Sequence, residues 1–282
     1  MFSQFQAIYS HFPDDPSWQL LPDPLALPQF ESLPLTRPQF FKCAMDFLGH
    51  HHGVIRSREG HLTMTLGFWR PTGFTHRLRY LRNSSGHINA EALPTSFMDL
   101  VDQLPGIETE MKNFSLQETT SDRVNYHFRL PVAGVFYLTV YAQELSQLIV
   151  GRESTFRTAC EYKIVCDYPT EIPLPYPPCR DPNWGPSWSH MQHYGLEPDH
   201  VCGIITVKPD WTEPPGSHTI PTATVNLRFT KTRPEVRLLA KLHQVGMTDD
   251  ALDQYQHIPD KQSHFQITLP EPGEYLTSVY CL

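Results

Sequence analysis

Six cysteines and 15 histidines bring the residue types of a thiol peptidase, a transglutaminase or a zinc site. A thiol nucleophile needs a cysteine near a helix start, a histidine within hydrogen-bonding reach and an Asp or Asn to orient that histidine. Cys160, Cys166 and Cys202 lie in strand-like sequence, Cys281 sits at the chain end, and Cys179 falls in YPPCRDP, where no helix easily begins. Cys43 is the least excluded, but PQFFKCAMDF reads as a strand. No catalytic residue is therefore assigned. Cys160 and Cys166 in ACEYKIVC share one face of an extended strand, where buried small hydrophobes are the expected reading. His50-His51-His52 invites a metal, yet adjacent residues on an extended chain point to opposite faces. The sequence also lacks the C-x-x-C or H-x-x-x-H pairs of zinc sites. A solvated loop is expected there, with no metal and no cofactor.

The elements around these residues are strands. LPVAGVFYLTVYA from Leu130 and RTACEYKIVCD from Arg157 are two of them, and YPTEIPLPYPPCRDPNWGPSW is a stiff proline-aromatic connector. His61–Phe68 alternates strictly, with Leu62, Met64, Leu66 and Phe68 on one face, as a half-buried strand does. Arg77–Leu81 and Arg123–Leu130 add further strands. Ser96–Leu104 has Phe97, Leu100, Val101 and Leu104 at helical spacing, so a short amphipathic helix is expected there.

The pattern then recurs. Leu269–Tyr280 repeats the first of these strands in reduced form, with Gly134 and Tyr141 matched by Gly273 and Tyr280. Ala223–Phe229 aligns on Leu62–Phe68, and the same register runs on to place Leu238–Leu242 against Arg77–Leu81. Such self-similarity outranks local signals, so two related β-domains stand in tandem. The second copy lacks residues between its matched blocks, which makes the Ser96–Leu104 helix an insertion in the first. Nothing after Leu282 matches the strand Ala159–Asp167. Truncation, a strand supplied by a partner, or a different strand covering that edge are the three readings.

A length of 282 residues accommodates one or two cores, and 40% hydrophobic with 18% charged residues is a globular profile. With 27 prolines, short strands and extended connectors are favoured over helix. A net charge of −8 disfavours nucleic-acid and anionic-membrane surfaces. No signal peptide or membrane-length apolar run is visible, which suggests reduced thiols and a cytoplasmic setting.

G-x-(F/Y)-x-L-x-(V/I)-Y-A, CEYKIVCD, NWGPSW and Gly195-Leu196-Glu197-Pro198-Asp199-His200 together resemble the kyphoscoliosis peptidase and hillarin family, in the region carboxy-terminal to its transglutaminase-like core. The resemblance implies an all-β fold: two tandem Ig-like β-sandwich domains joined by a Pro/Trp-rich linker, with one short helix inserted in the first. Its parts are an extended arm at 1–34, sandwich 1 at 35–168, a linker at 169–194, and sandwich 2 at 195–282. The marker residues are Cys160, Tyr162 and Cys166 on the strand, and Asn183, Trp184, Gly185, Pro186 and Trp188 packing the linker. Gly134, Tyr141, Gly273 and Tyr280 define the repeat. The family's catalytic core maps onto nothing here. The implied role is a non-catalytic interaction or scaffold module, cytoplasmic and cytoskeleton-associated, with septin- or filamin-like protein partners. A regulatory fragment of a transglutaminase-like cysteine peptidase is the alternative, and Trp69 and Trp211 leave a carbohydrate-binding sandwich as a third reading.

Overall fold

The computed structural model describes residues 15–19, 23–82, 107–148, 155–167, 175–177, 191–192, 194–198, 204–207, 223–254, 256–257, 264–269 and 273–281. The chain divides into two compact units, Met1–Gln117 with Ser121–Leu174 and Pro175–Leu282 with Glu118–Thr120.

In the first unit, Leu27–Glu31 (α1) and Leu35–Thr36 (β1) precede Pro38–Lys42 (α2), Met45–Phe47 (β2), Val54–Ser57 (β3), His61–Phe68 (β4) and Thr72–Arg82 (β5). Ile107–Glu110 (β6), Ser115–Thr119 (β7), Arg123–Arg129 (β8), Gly134–Glu144 (β9), Leu145–Leu148 (α3) and Arg157–Cys166 (β10) follow. A six-stranded sheet runs β1-β10-β9-β5-β6, with β3 also on β10, and a four-stranded sheet runs β2-β4-β8-β7. Strand alternation aims Met64, Leu66, Tyr126 and Phe128 of the smaller sheet and Phe136, Leu138, Val140 and Ile164 of the larger into one core. Each is at most 1% exposed, so truncating one costs about 2–5 kcal/mol.

The first strand expected at Phe40–Phe47 is two elements. Pro38 stands in the first turn of α2, where its fixed φ is pre-set for helix and its missing N–H costs nothing. The chain then turns at Ala44, with φ 50°, and enters β2. The apolar run survives the turn because the Phe40 ring lies 4.6 Å from that of Phe47. Within the stretch expected as an extended arm, α1 also forms a short helix, opened by Pro28 and by the Ala26 amide donating to Gln29 Oε1 at 2.8 Å. The helix expected at Ser96–Leu104 lies outside the described residues.

The second unit contains Leu196–Pro198 (β11), Ile204–Val207 (β12), Ala223–Lys231 (β13), Leu238–Gln244 (β14), Asp249–Asp253 (α4), Gln256–His257 (β15), His264–Leu269 (β16) and Gly273–Cys281 (β17). Sheets β11-β13-β16-β15 and β12-β17-β14 enclose Leu238, Ala240, Leu242, Phe265, Ile267, Leu269 and Tyr275. Thus the β4–β8 and β5–β9 pairings of the first unit have counterparts in β13–β16 and β14–β17.

The register across the repeat differs from the sequence alignment at one place. Leu78 faces Leu138 on β9, and Leu242 faces Thr277, the residue of β17 that the Gly134/Gly273 match sets against Leu138. Leu242, not Leu239, therefore corresponds to Leu78. Both are buried, whereas Leu239 is 37% exposed; burial parity decides the register where bare alignment of leucines does not. The side of β17 that matches the β10 side of β9 carries β12, over Gly273–Leu276. A different strand of the unit itself covers that part of the edge.

Candidate functional site

The three cysteines that the structure describes in full are free and buried. On β10, Cys160, Tyr162 and Cys166 all face the core. Burial, and to a lesser degree the neighbouring Glu161 charge, pushes the Cys160 thiol far up. Cys166 is raised by burial and by Asp167 against a backbone hydrogen bond at Gly60. Burial also raises Cys43, opposed by hydrogen bonds from Thr72 and Gln39. A nucleophilic cysteine requires the opposite, an exposed thiol with a depressed pKa. Tyr162 is a strut: its hydroxyl donates to the His50 carbonyl at 3.2 Å, and its ring meets Phe47 edge-on at 6.1 Å.

That bond anchors the triple-histidine loop from beneath. Above it, the His50 Nε2–H donates to the Thr63 carbonyl at 3.2 Å, while His51 and His52 are exposed. Among the described residues, no three His, Cys, Asp or Glu side chains gather as metal ligands would.

Two buried polar clusters escape the sequence reading. Gln39 Nε2 donates to Cys43 Sγ at 3.4 Å and to Gln143 Oε1 at 3.3 Å, and Gln143 donates in turn to Gln147. This chain of amides pins α2 to β9. His76 lies inside the core, with Nδ1 3.3 Å from Gln117 Oε1 and its ring 5.1 Å from that of Tyr126. Burial lowers its pKa to about 4. The signal for it was the inward parity of Phe74, His76 and Leu78. Parity marks His76 as interior but cannot say that a glutamine waits there.

Trp69 is 83% exposed on the turn between β4 and β5. The turn is braced: the Trp69 amide donates to the Ala44 carbonyl at 3.1 Å, and Arg70 pairs with Glu144 at 2.8 Å. The braced backbone thus presents an uncovered indole. Gly134 and Gly273 begin β9 and β17 with φ of 143° and 159°, and Tyr141 and Tyr280 are half-buried on the same strands. Asn183, Trp184, Gly185, Pro186, Trp188 and Trp211 lie outside the described residues.

A family model described as the KY-like, immunoglobulin-like domain matches residues 27–177. The chain belongs to this KY-like family. Its KY-like match spans the whole first sandwich described above, β1 to β10. Beyond it, 97% of the chain is similar to each of three curated relatives. These are the Lim and transglutaminase domain protein ltd-1 of Caenorhabditis elegans at 28% identity, hillarin of Drosophila melanogaster at 26%, and human kyphoscoliosis peptidase at 24%. The match takes in 35%, 31% and 34% of those proteins. The KY-like chain thus spans about a third of the length of the relatives it matches, and what its matched domain contributes is a β-sandwich, not a catalytic fold.

Proposed function

We propose that this chain is a non-catalytic interaction module of a cytoskeleton-associated protein in the cytoplasm, binding septin- or filamin-like partners. The observation that carries the reading is the burial of Cys43, Cys160 and Cys166, each with a raised pKa, beside an exposed Trp69 on a braced turn. Chemistry is withdrawn inward and contact surface is offered outward. The family resemblance supplies the cytoskeletal direction. The partition into an arm at 1–34, sandwiches at 35–168 and 195–282, and a packed linker at 169–194 belongs to the same proposal. Protease nicking within 170–190 that lets the halves separate would count against that linker.

The test is co-sedimentation of the purified chain with septin filaments, alongside binding to purified filamin. Saturable binding to one of them is expected, weakened roughly tenfold or more by Trp69→Ala. Binding to neither removes the cytoskeletal partner. Hydrolysis or amine incorporation that disappears with Cys43→Ala overturns the non-catalytic reading.

A second reading is favoured by the one-third coverage and by the word transglutaminase in the name of the nematode relative. In it, the chain is a regulatory part of a longer transglutaminase-like peptidase. An in-frame upstream segment encoding a Cys-His-Asp core would select it.

A further inference from the structure

Among the described residues, Lys163 alone of the lysines is buried, at 6% exposure. Its neighbours Tyr162 and Ile164 fill the sandwich core, so Lys163 stands on the opposite face of β10. Tyr137 of β9 lies directly across from it on one side and Val54 of β3 on the other. Tyr137 and the next outward residue of β10, Val165, are 5% and 4% exposed, whereas Val54 is 43% exposed. The side chain therefore lies among hidden neighbours, close to a rim that opens to solvent on the β3 side. A lysine that merely covers apolar surface keeps its ammonium in water; this burial leaves it little.

The charges on this face leave the amine without a counter-ion. Glu161 and Asp167, the outward carboxylates of the same stretch, each hold an arginine at 3.3 Å, Arg37 and Arg56. On β5, Arg79 turns to the Thr139 hydroxyl at 3.4 Å. No described acid pairs with Lys163, and the charge that acts on it is another cation, Arg56, which lies opposite Val165 on β3. Burial first, and the Arg56 charge second, push its pKa down, so more of it is neutral at a given pH. A buried ammonium with a cation for a neighbour is costly. An anion at the same place would have a partner waiting.

We propose that Lys163 is a carbon dioxide modification site, its amine adding CO2 to form a carbamate whose carboxylate is held by Arg56. The lone pair of neutral Nζ attacks the carbon of CO2, an N–C bond forms, and one C=O electron pair moves onto oxygen. One N–H proton leaves to solvent, so the product carries one negative charge and nothing is oxidised or reduced. The carbamate turns a cation beside Arg56 into an anion beside Arg56, a charge-assisted pair. This site is separate from the Trp69 turn and does not depend on the scaffold reading.

The test is trapping in the full chain: incubation with isotope-labelled bicarbonate at neutral pH, alkylation of carbamates with a trialkyloxonium salt, and peptide mass spectrometry. A labelled adduct is expected on Lys163 at about tenfold or more the yield on exposed Lys42, and it should be lost in urea, where burial and the Arg56 neighbour are both gone. Arg56→Gln keeps the amine but removes the paired cation, and should lower the Lys163 adduct about tenfold; Arg56→Lys should recover part of it. The comparison of Lys163 with Lys42 is made in the unchanged chain, so it decides even where a variant misfolds. No adduct on Lys163, equal yields on Lys163 and Lys42, an adduct that survives urea, or one indifferent to Arg56→Gln in a folded chain would each overturn the proposal.

Discussion

His76 is the residue on which acid acts most directly. Its imidazole is folded into the core against Tyr126, Phe128 and Gln117, and burial lowers its pKa to about 4 from an ordinary 6.5. The unfolded chain therefore takes up a proton that the folded chain refuses between those values. The stability tied to neutral His76 is whole above pH 6.5, drains as pH falls toward 4, and stops falling once the folded form also protonates. At pH 4.5 the loss is about 2 to 3 kcal/mol. Urea unfolding at pH 7 and pH 4.5 should show a drop that His76→Gln reduces by that amount; an equal drop in both proteins would refute the assignment. Trp69 makes the complementary case, since Trp69→Ala should leave the unfolding midpoint in place while weakening partner binding.

At the scale of elements, β10 shows how a strand is held from several sides. β9 pairs along its length, β1 caps it at Glu161 and Cys160, and β3 runs parallel to it from Lys163 to Cys166. Gly53 makes the last contact possible. Its amide donates to the Ser32 carbonyl and its carbonyl accepts from Lys163, both at 2.8 Å. A Cβ there would stand 2.7 Å from the Leu33 carbonyl oxygen, a backbone atom that cannot swing away. Gly53→Ala should cost about 1–3 kcal/mol, measured by chemical denaturation; a neutral result would mean the crossing is loose.

The strands β4 and β8 were legible in the sequence because alternation writes burial directly, and β9 and β10 because near-continuous apolar runs mark strands buried on both faces. The helix α2 was not: a run as apolar as PQFF fits strand or helix, and only the placement of Pro38 tips it. β1, β2, β6 and β7 are short edge strands whose pairing comes from tertiary contact rather than from their own residues. Of the site, the inward face of Cys160 and Cys166 could be read from spacing. The Gln39–Gln143 bond could not, since it joins residues far apart in sequence through a helix that was not foreseen.

For the whole molecule, each unit closes its own core, and the two share none of the residues named in either. Calorimetry should resolve two unfolding transitions. Leu138→Ala should lower one and Leu242→Ala the other, each by about 2–5 kcal/mol; if either substitution moves both transitions equally, the cores are not separate cooperative units.

The placement of β10 also sets an order in time. Residues 35–57 contribute β1 and β3, and β10, the ladder partner of both, lies more than a hundred positions downstream. On the ribosome those early residues emerge first and must wait, exposed, until Cys166 has cleared the exit tunnel. A nascent chain arrested before that point should be trimmed by protease at its amino end, and one arrested well beyond it should resist.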